Sequence, residues 1–135
     1  MWFFAKPEEF VTLARMTIAI IGAGSRREKY ANKAVRAWQN QATVVPVHPV
    51  ETVVEGLPVM RSVENYEGAI DVASFYIPPA AGLAVVEECA RKGIPTIWLN
   101  PGSASAAILD RCAELGIAVE SLCTIIRGGH SPSQL

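Results

Sequence analysis

Residues 22–29, GAGSRREK, follow the apolar run TIAII (17–21) and supply two glycines, a hydroxyl and three cations in eight positions. That combination suits an anion. Gly22 and Gly24 permit positive φ and remove side chains, so the amides of Gly22, Ala23, Gly24 and Ser25 can approach a phosphate. A helix expected to begin near Arg26 adds its positive dipole end. Ser25 can donate its hydroxyl, and Arg26, Arg27, Lys29 and Lys33 supply charge. Five of the twelve Lys and Arg lie between Arg26 and Arg36, with only Glu28 against them, in a chain of net charge −1. A local cluster in a near-neutral protein predicts a small anionic ligand, and neither nucleic acid nor an anionic membrane surface. The competing reading is a tight turn followed by a solvated, charged helix face.

A dinucleotide fits the turn poorly. The G-x-G-x-x-G fingerprint counted from Gly22 puts Arg27 where the third glycine belongs. The acid expected about 20 residues on, for a ribose hydroxyl, is missing at the end of the second strand-like run, where His48-Pro49 stand. Glu51 is the nearest carboxylate and lies past the proline. NADP survives better than NAD, because a basic patch suits its extra phosphate.

Three further loops follow strand-like runs: VHPVE (47–51), YIPPA (76–80) and LNPGS (99–103). Val47, His48 and Pro49 end the second run. Tyr76, Ile77, Pro78 and Pro79 form a rim with no backbone donors on its two prolines, an apolar wall for an adenine or an aliphatic chain. Asn100, Pro101 and Gly102 add an amide and a flexible glycine. His48 has no evident carboxylate to orient it as a base, so no catalytic residue is assigned. Cys89, Cys112 and Cys123 are odd in number and form no CxxC, against a disulfide framework or a Cys/His zinc site. They suit a reducing compartment. The apolar start MWFF is too short for a signal-peptide core, and no window reaches the length of a membrane span. A cytoplasmic location is the expectation.

The elements that must position these loops alternate. Half the residues are hydrophobic and 19% are charged, a globular composition. Helices are expected over 7–16, 28–41, 80–93 and 103–115, the last capped by Ser103 or Ser105 and ended by Gly116. Strands are expected over 17–21, 42–49, 71–77, 94–99 and 117–121. Residues 53–66 are irregular, with a short strand at Leu57–Met60 and a brief helix capped by Ser62. Residues 128–135 read as a loose tail. Strands separated by helices imply one α/β domain over 1–135, Rossmann-like and doubly wound, with a mainly parallel sheet and helices on both faces in three layers. In such a sheet the four loops converge on the carboxyl edge of the strands.

Taken together, the loops resemble the stand-alone CoA-binding domain proteins, relatives of the amino-terminal domain of the succinyl-CoA synthetase α subunit. Gly22-x-x-Ser25 before a basic helix is similar to the family's first loop. Val45-Pro46-Val47-His48-Pro49 is similar to its PVNP, with His48 in the Asn place. Glu55-Gly56-Leu57-Pro58-Val59 and Asp71-Val72 through Pro78-Pro79 resemble its later segments, and the similarity spans residues 16–127. The resemblance implies CoA or an acyl-CoA as the ligand. Gly24 to Arg27 match the phosphate-contacting turn, and Tyr76 to Pro78 match the segment beside adenosine and pantetheine. Val50-Glu51 stand where the ligase subunit carries a lysine. The ligase's phosphorylated histidine belongs to another domain, and His130 in its Gly-rich surroundings is no substitute, so a non-catalytic binder is expected. Cys123 lies where the family often has a late cysteine, and core packing is the reading set beside a chemical role. An NADP-dependent oxidoreductase-like domain and a ligand-free interaction module, with MWFF as a partner surface, are the alternatives. A protein partner or a homo-oligomer is compatible with each.

Overall fold

The computed structural model describes residues 15–135. The apolar start MWFF, and the helix expected over 7–16 apart from Arg15 and Met16, lie outside the described residues. Five parallel strands form one sheet in the order β2-β1-β5-β6-β7. They are β1 (Thr17–Ile21), β2 (Thr43–Val47), β5 (Val72–Phe75), β6 (Thr96–Leu99) and β7 (Ala118–Ser121). A continuous apolar run such as TIAII forms a strand here because both its faces are covered. Ile18, Ile20, Val44, Val72 and Trp98 pack against Ala31, Ala34, Val35 and Trp38 of helix α1 (Tyr30–Trp38) and Ile125 of the short α4 (Thr124–Arg127). Ala19, Ile21, Val45, Ala73, Phe75, Ile97 and Leu99 face the other way. Their partners are Val86 and Cys89 of α2 (Pro79–Lys92) and Ile108 and Cys112 of α3 (Ala106–Leu115). Period-2 alternation therefore gives the three layers of the expected Rossmann-like fold. The chain winds outward from β1 to β2 and then returns to place β5 on the other side of β1. The loops after β1 and β5 thus flank a topological switch point.

Several boundaries differ from the sequence reading. Helix α1 begins at Tyr30, not near Arg26, and ends at Trp38. Lys29 is its N-cap and makes no side-chain capping bond. Residues 26–29 form a turn, closed by the Lys29 amide donating to the Arg26 carbonyl at 3.1 Å. Ser25, the nearest good capping residue type, lies four residues before Lys29 and donates its hydroxyl to Glu51. Pro78 caps α2 and Pro79 takes its first position, where a missing N–H costs nothing. Ser105, not Ser103, caps α3 through a bond from the Ile108 amide.

The irregular segment is a hairpin of β3 (Val53–Val54) and β4 (Leu57–Pro58). Glu55 and Gly56 make its turn with φ of 50° and 77°, the paired positive values that suit the twist of two-residue hairpins. The expected strand stops at Pro58, and Met60 instead bridges to Val47. Ser62 caps a 3₁₀ turn (Val63–Asn65), as expected.

Residues 128–135, expected as a loose tail, are seated on α1. Lys33 Nζ donates to the Pro132 carbonyl at 2.8 Å, and Arg36 Nη1 donates to that of Leu135 at 3.0 Å. The basic residues of the helix satisfy the carbonyls of the segment, and Leu135 packs on the α1 side of the core.

Candidate functional site

The β1–α1 loop is built around close approach. Gly22 has φ of 96°, and a Cβ there would lie 3.0 Å from the Tyr76 carbonyl oxygen and 3.1 Å from Ile77 Cγ2. Only glycine fits that backbone and that gap. Gly24 does not take the expected positive φ. A Cβ on Gly24 would stand 3.4 Å from Glu51 Oε2 and 3.5 Å from His48 Nε2. The expectation that all the amides of Gly22–Ser25 await a ligand is also corrected. Gly22 and Ala23 both donate to the Val47 carbonyl, at 2.8 and 3.2 Å, which ties the loop to the end of β2. The Ser25 amide donates to Glu51. Ala23 is buried.

Beside this loop lies a cleft of about 350 Å³, lined by Gly22, Gly24, Ser25, Arg26, Lys29, Tyr30, Ala31, His48, Glu51 and Tyr76. Its volume is within the range of small-molecule sites. Arg26 and Lys29 are the basic residues on its wall. Arg26 is well exposed and paired with Glu28 at 3.0 Å. Arg27 points elsewhere, to Glu55 at 3.2 Å. Lys33 is turned to residue 132. The run of charge in the sequence is therefore divided three ways by the helix and its turn.

The loop after β2 supplies the opposite wall. His48 Nδ1 accepts from the amides of Val50 and Glu51, both at 3.2 Å. An accepting Nδ1 places the proton of the neutral ring on Nε2, which faces the space above Gly24. Arg61 donates to the carbonyls of His48, Val50 and Glu51, and the turn containing Pro49 is held from outside. Glu51 Oε2 accepts from the Ser25 amide and hydroxyl, each at 2.7 Å. Those bonds hold the Glu51 carboxyl below its ordinary value, with His48 adding a smaller pull.

The loops after β5 and β6 extend the edge. Tyr76 lines the first cleft and also a second, of about 270 Å³, shared with Ile77, Pro78, Pro101, Gly102 and Ser103. Burial pushes the Tyr76 phenol well above its usual range, and it stays neutral. A third cleft, of about 290 Å³, continues from Pro101 and Gly102 to Leu122 and Cys123. Asn100 also lines this third cleft, but the hydrogen bonds of its side chain turn inward. It is 2% exposed. Its Nδ2 donates to Ser74 Oγ and the Phe75 carbonyl, and its Oδ1 accepts from the Thr124 amide, all within 2.9 Å. Its side chain knits β5, β6 and α4 together. Pro79, in the first turn of α2, serves as a helix start.

Three residues that shape the site escaped the sequence reading as contributors. Asn32 is fully buried on the first turn of α1 and donates to the Gly24 carbonyl at 2.9 Å and to Glu55 at 3.2 Å. An asparagine on a helix face otherwise built of Ala31, Ala34 and Val35 is the signal that marks it. Arg61 and Glu51 left no comparable trace, because their partners lie in other loops.

With this geometry in view, comparison with known proteins decides the family. Residues 16–129 match the CoA binding domain. The chain belongs to the CoA-binding domain family. Its fold recurs in a conserved hypothetical protein from Pyrococcus furiosus, with 29% identity and a TM-score of 0.78, covering 84% of this chain and 98% of that one. A hypothetical protein from Pyrococcus horikoshii aligns with 23% identity and a TM-score of 0.80, over 90% of this chain and 85% of that one. An acetyl-coenzyme A synthetase from Ca. Korarchaeum cryptofilum shares the fold at 20% identity and a TM-score of 0.68. That alignment covers 76% of this chain and 25% of the synthetase. No curated protein matches the chain. Among the described residues, no helix is long and apolar enough to cross a membrane.

Proposed function

We propose that this CoA-binding domain holds CoA or an acyl-CoA as a carrier, sensor or accessory subunit, without performing chemistry on it. The observation that carries the reading is the first cleft, where Gly24 adjoins Ser25, Arg26, Lys29 and the Nε2 face of His48. A pyrophosphate suits that set, because charged donors on a negative ligand make the stronger hydrogen bonds. The clefts that share Tyr76, and then Pro101 and Gly102, give a pantetheine arm an apolar path towards Cys123. Asn100, Arg27 and Lys33 have no part in ligand contact in this reading, since each is engaged elsewhere.

Thermal unfolding with CoA, dephospho-CoA, NAD and NADP tests it. CoA at 100 times its dissociation constant is expected to stabilise the fold by about 2.7 kcal/mol. A weaker response to dephospho-CoA assigns the 3′-phosphate to a basic side chain. A shift with NADP or NAD and none with CoA overturns the proposal.

A further inference from the structure

Glu51 occupies both donors of Ser25 in the first loop. Two donors of one residue, the Ser25 amide and hydroxyl, converge on a single oxygen, Oε2, at 2.7 Å each. Such lengths are those of charge-assisted bonds. The same oxygen lies beside the gap left by the missing Gly24 side chain, with His48 Nε2 on its other flank. A carboxylate in that position presents what a phosphate oxygen presents, namely negative charge and lone pairs towards backbone and hydroxyl donors. The backbone beneath it is fixed. Arg61 holds the carbonyls of His48, Val50 and Glu51, and His48 Nδ1 takes the amides of Val50 and Glu51. Release of Ser25 therefore requires only rotation of the Glu51 side chain, past the exposed neighbours Val50 and Thr52.

We propose that Glu51 is a built-in competitor for the phosphate seat, and that a phosphorylated ligand enters by displacing its carboxylate from Ser25. The proposal rests on reading the first loop as that seat. It makes Glu51 a specificity determinant. A singly charged carboxylate ligand would replace Glu51 with its own equivalent and gain nothing. A pyrophosphate carries further charge for Arg26 and Lys29, and so can offset the two bonds that Glu51 gives up.

The test is calorimetric titration of the wild type, Glu51→Ala and Glu51→Gln with CoA and with inorganic pyrophosphate. Both variants are expected to bind both ligands more tightly, Glu51→Ala by about tenfold or more, the scale of one charged hydrogen bond. Glu51→Gln keeps the shape of the side chain and guards against a merely loosened loop, and unchanged melting curves would show that both variants fold. Unchanged or weaker pyrophosphate binding in both variants overturns the proposal, and so does its absence from all three proteins. The two readings part company in the mixed outcomes. CoA binding the wild type with no gain in the variants removes the competitor and leaves the CoA reading. A gain for pyrophosphate with no CoA binding at all leaves the competitor and removes the CoA reading.

Discussion

At the β6 end of the strand edge, Asn100 is buried and its amide satisfies groups on β5 and α4. At the β1 end, Arg26 is largely exposed, and Arg26 and Lys29 border an open cleft. Both ends carry polar residues just after a buried strand, and in sequence they look alike. What separates them is the destination of their hydrogen bonds. Asn100 closes a network inside the protein, where an unpaired polar group is costly. Arg26 and Lys29 retain donors directed to the outside. One end stabilises the sheet, and the other is the end proposed to receive the ligand's phosphates.

That contrast can be broken by substitution. Replacing Asn100 by Leu strands the Thr124 amide and the Phe75 carbonyl in the interior. It is expected to cost about 3 kcal/mol, read from urea unfolding, while CoA affinity of the remaining folded protein holds. The reverse outcome, intact stability with lost affinity, would exchange the roles of the two ends. Gly22→Ala forces a Cβ against the Tyr76 carbonyl at a positive φ and is expected to cost about 2 kcal/mol, measured in the same way. Replacing Arg26 and Lys29 together by Ala should weaken CoA binding about tenfold or more. Stability should change by no more than about 0.5 kcal/mol, as for other exposed sites; calorimetry and melting curves check the two halves. The smallest effect belongs to Arg27→Ala and Lys33→Ala. Each should change CoA affinity by less than about threefold, because a side chain committed elsewhere gives up little at the cleft. A tenfold loss from either would place the ligand on the other side of the helix turn.

The sheet, its layers and the strand edge were legible in the sequence because they follow from pattern. TIAII and DVASFYI could only be covered strands, and the stops at Gly93 and Gly116 are marked by the residue type that the left-handed position demands. The division of labour among the basic residues was not legible. Arg26, Arg27 and Lys29 lie in a turn and Lys33 in the helix after it, and the course of that turn, which decides their partners, leaves no pattern in the residue types. The inward hydrogen bonds of Asn100 were hidden for a related reason. Nothing local to Asn100-Pro101-Gly102 announces that Thr124, 24 residues on, delivers an amide to its side chain. Glu51 was placed correctly beyond the proline but not over Ser25, since the turn that carries it inward is fixed by Arg61 from yet another segment.

The register of β1 has a consequence for kinetics. Ile18 stands opposite Val44 on one side and Val72 on the other, and the cleft takes its walls from the loops after these three strands. Such pairings close long stretches of chain and tend to make folding slow. No fragment ending before β5 can contain the whole pocket. A bound molecule would therefore act as a clasp on the finished fold, lengthening the lifetime of the native protein while leaving the speed at which it forms nearly untouched.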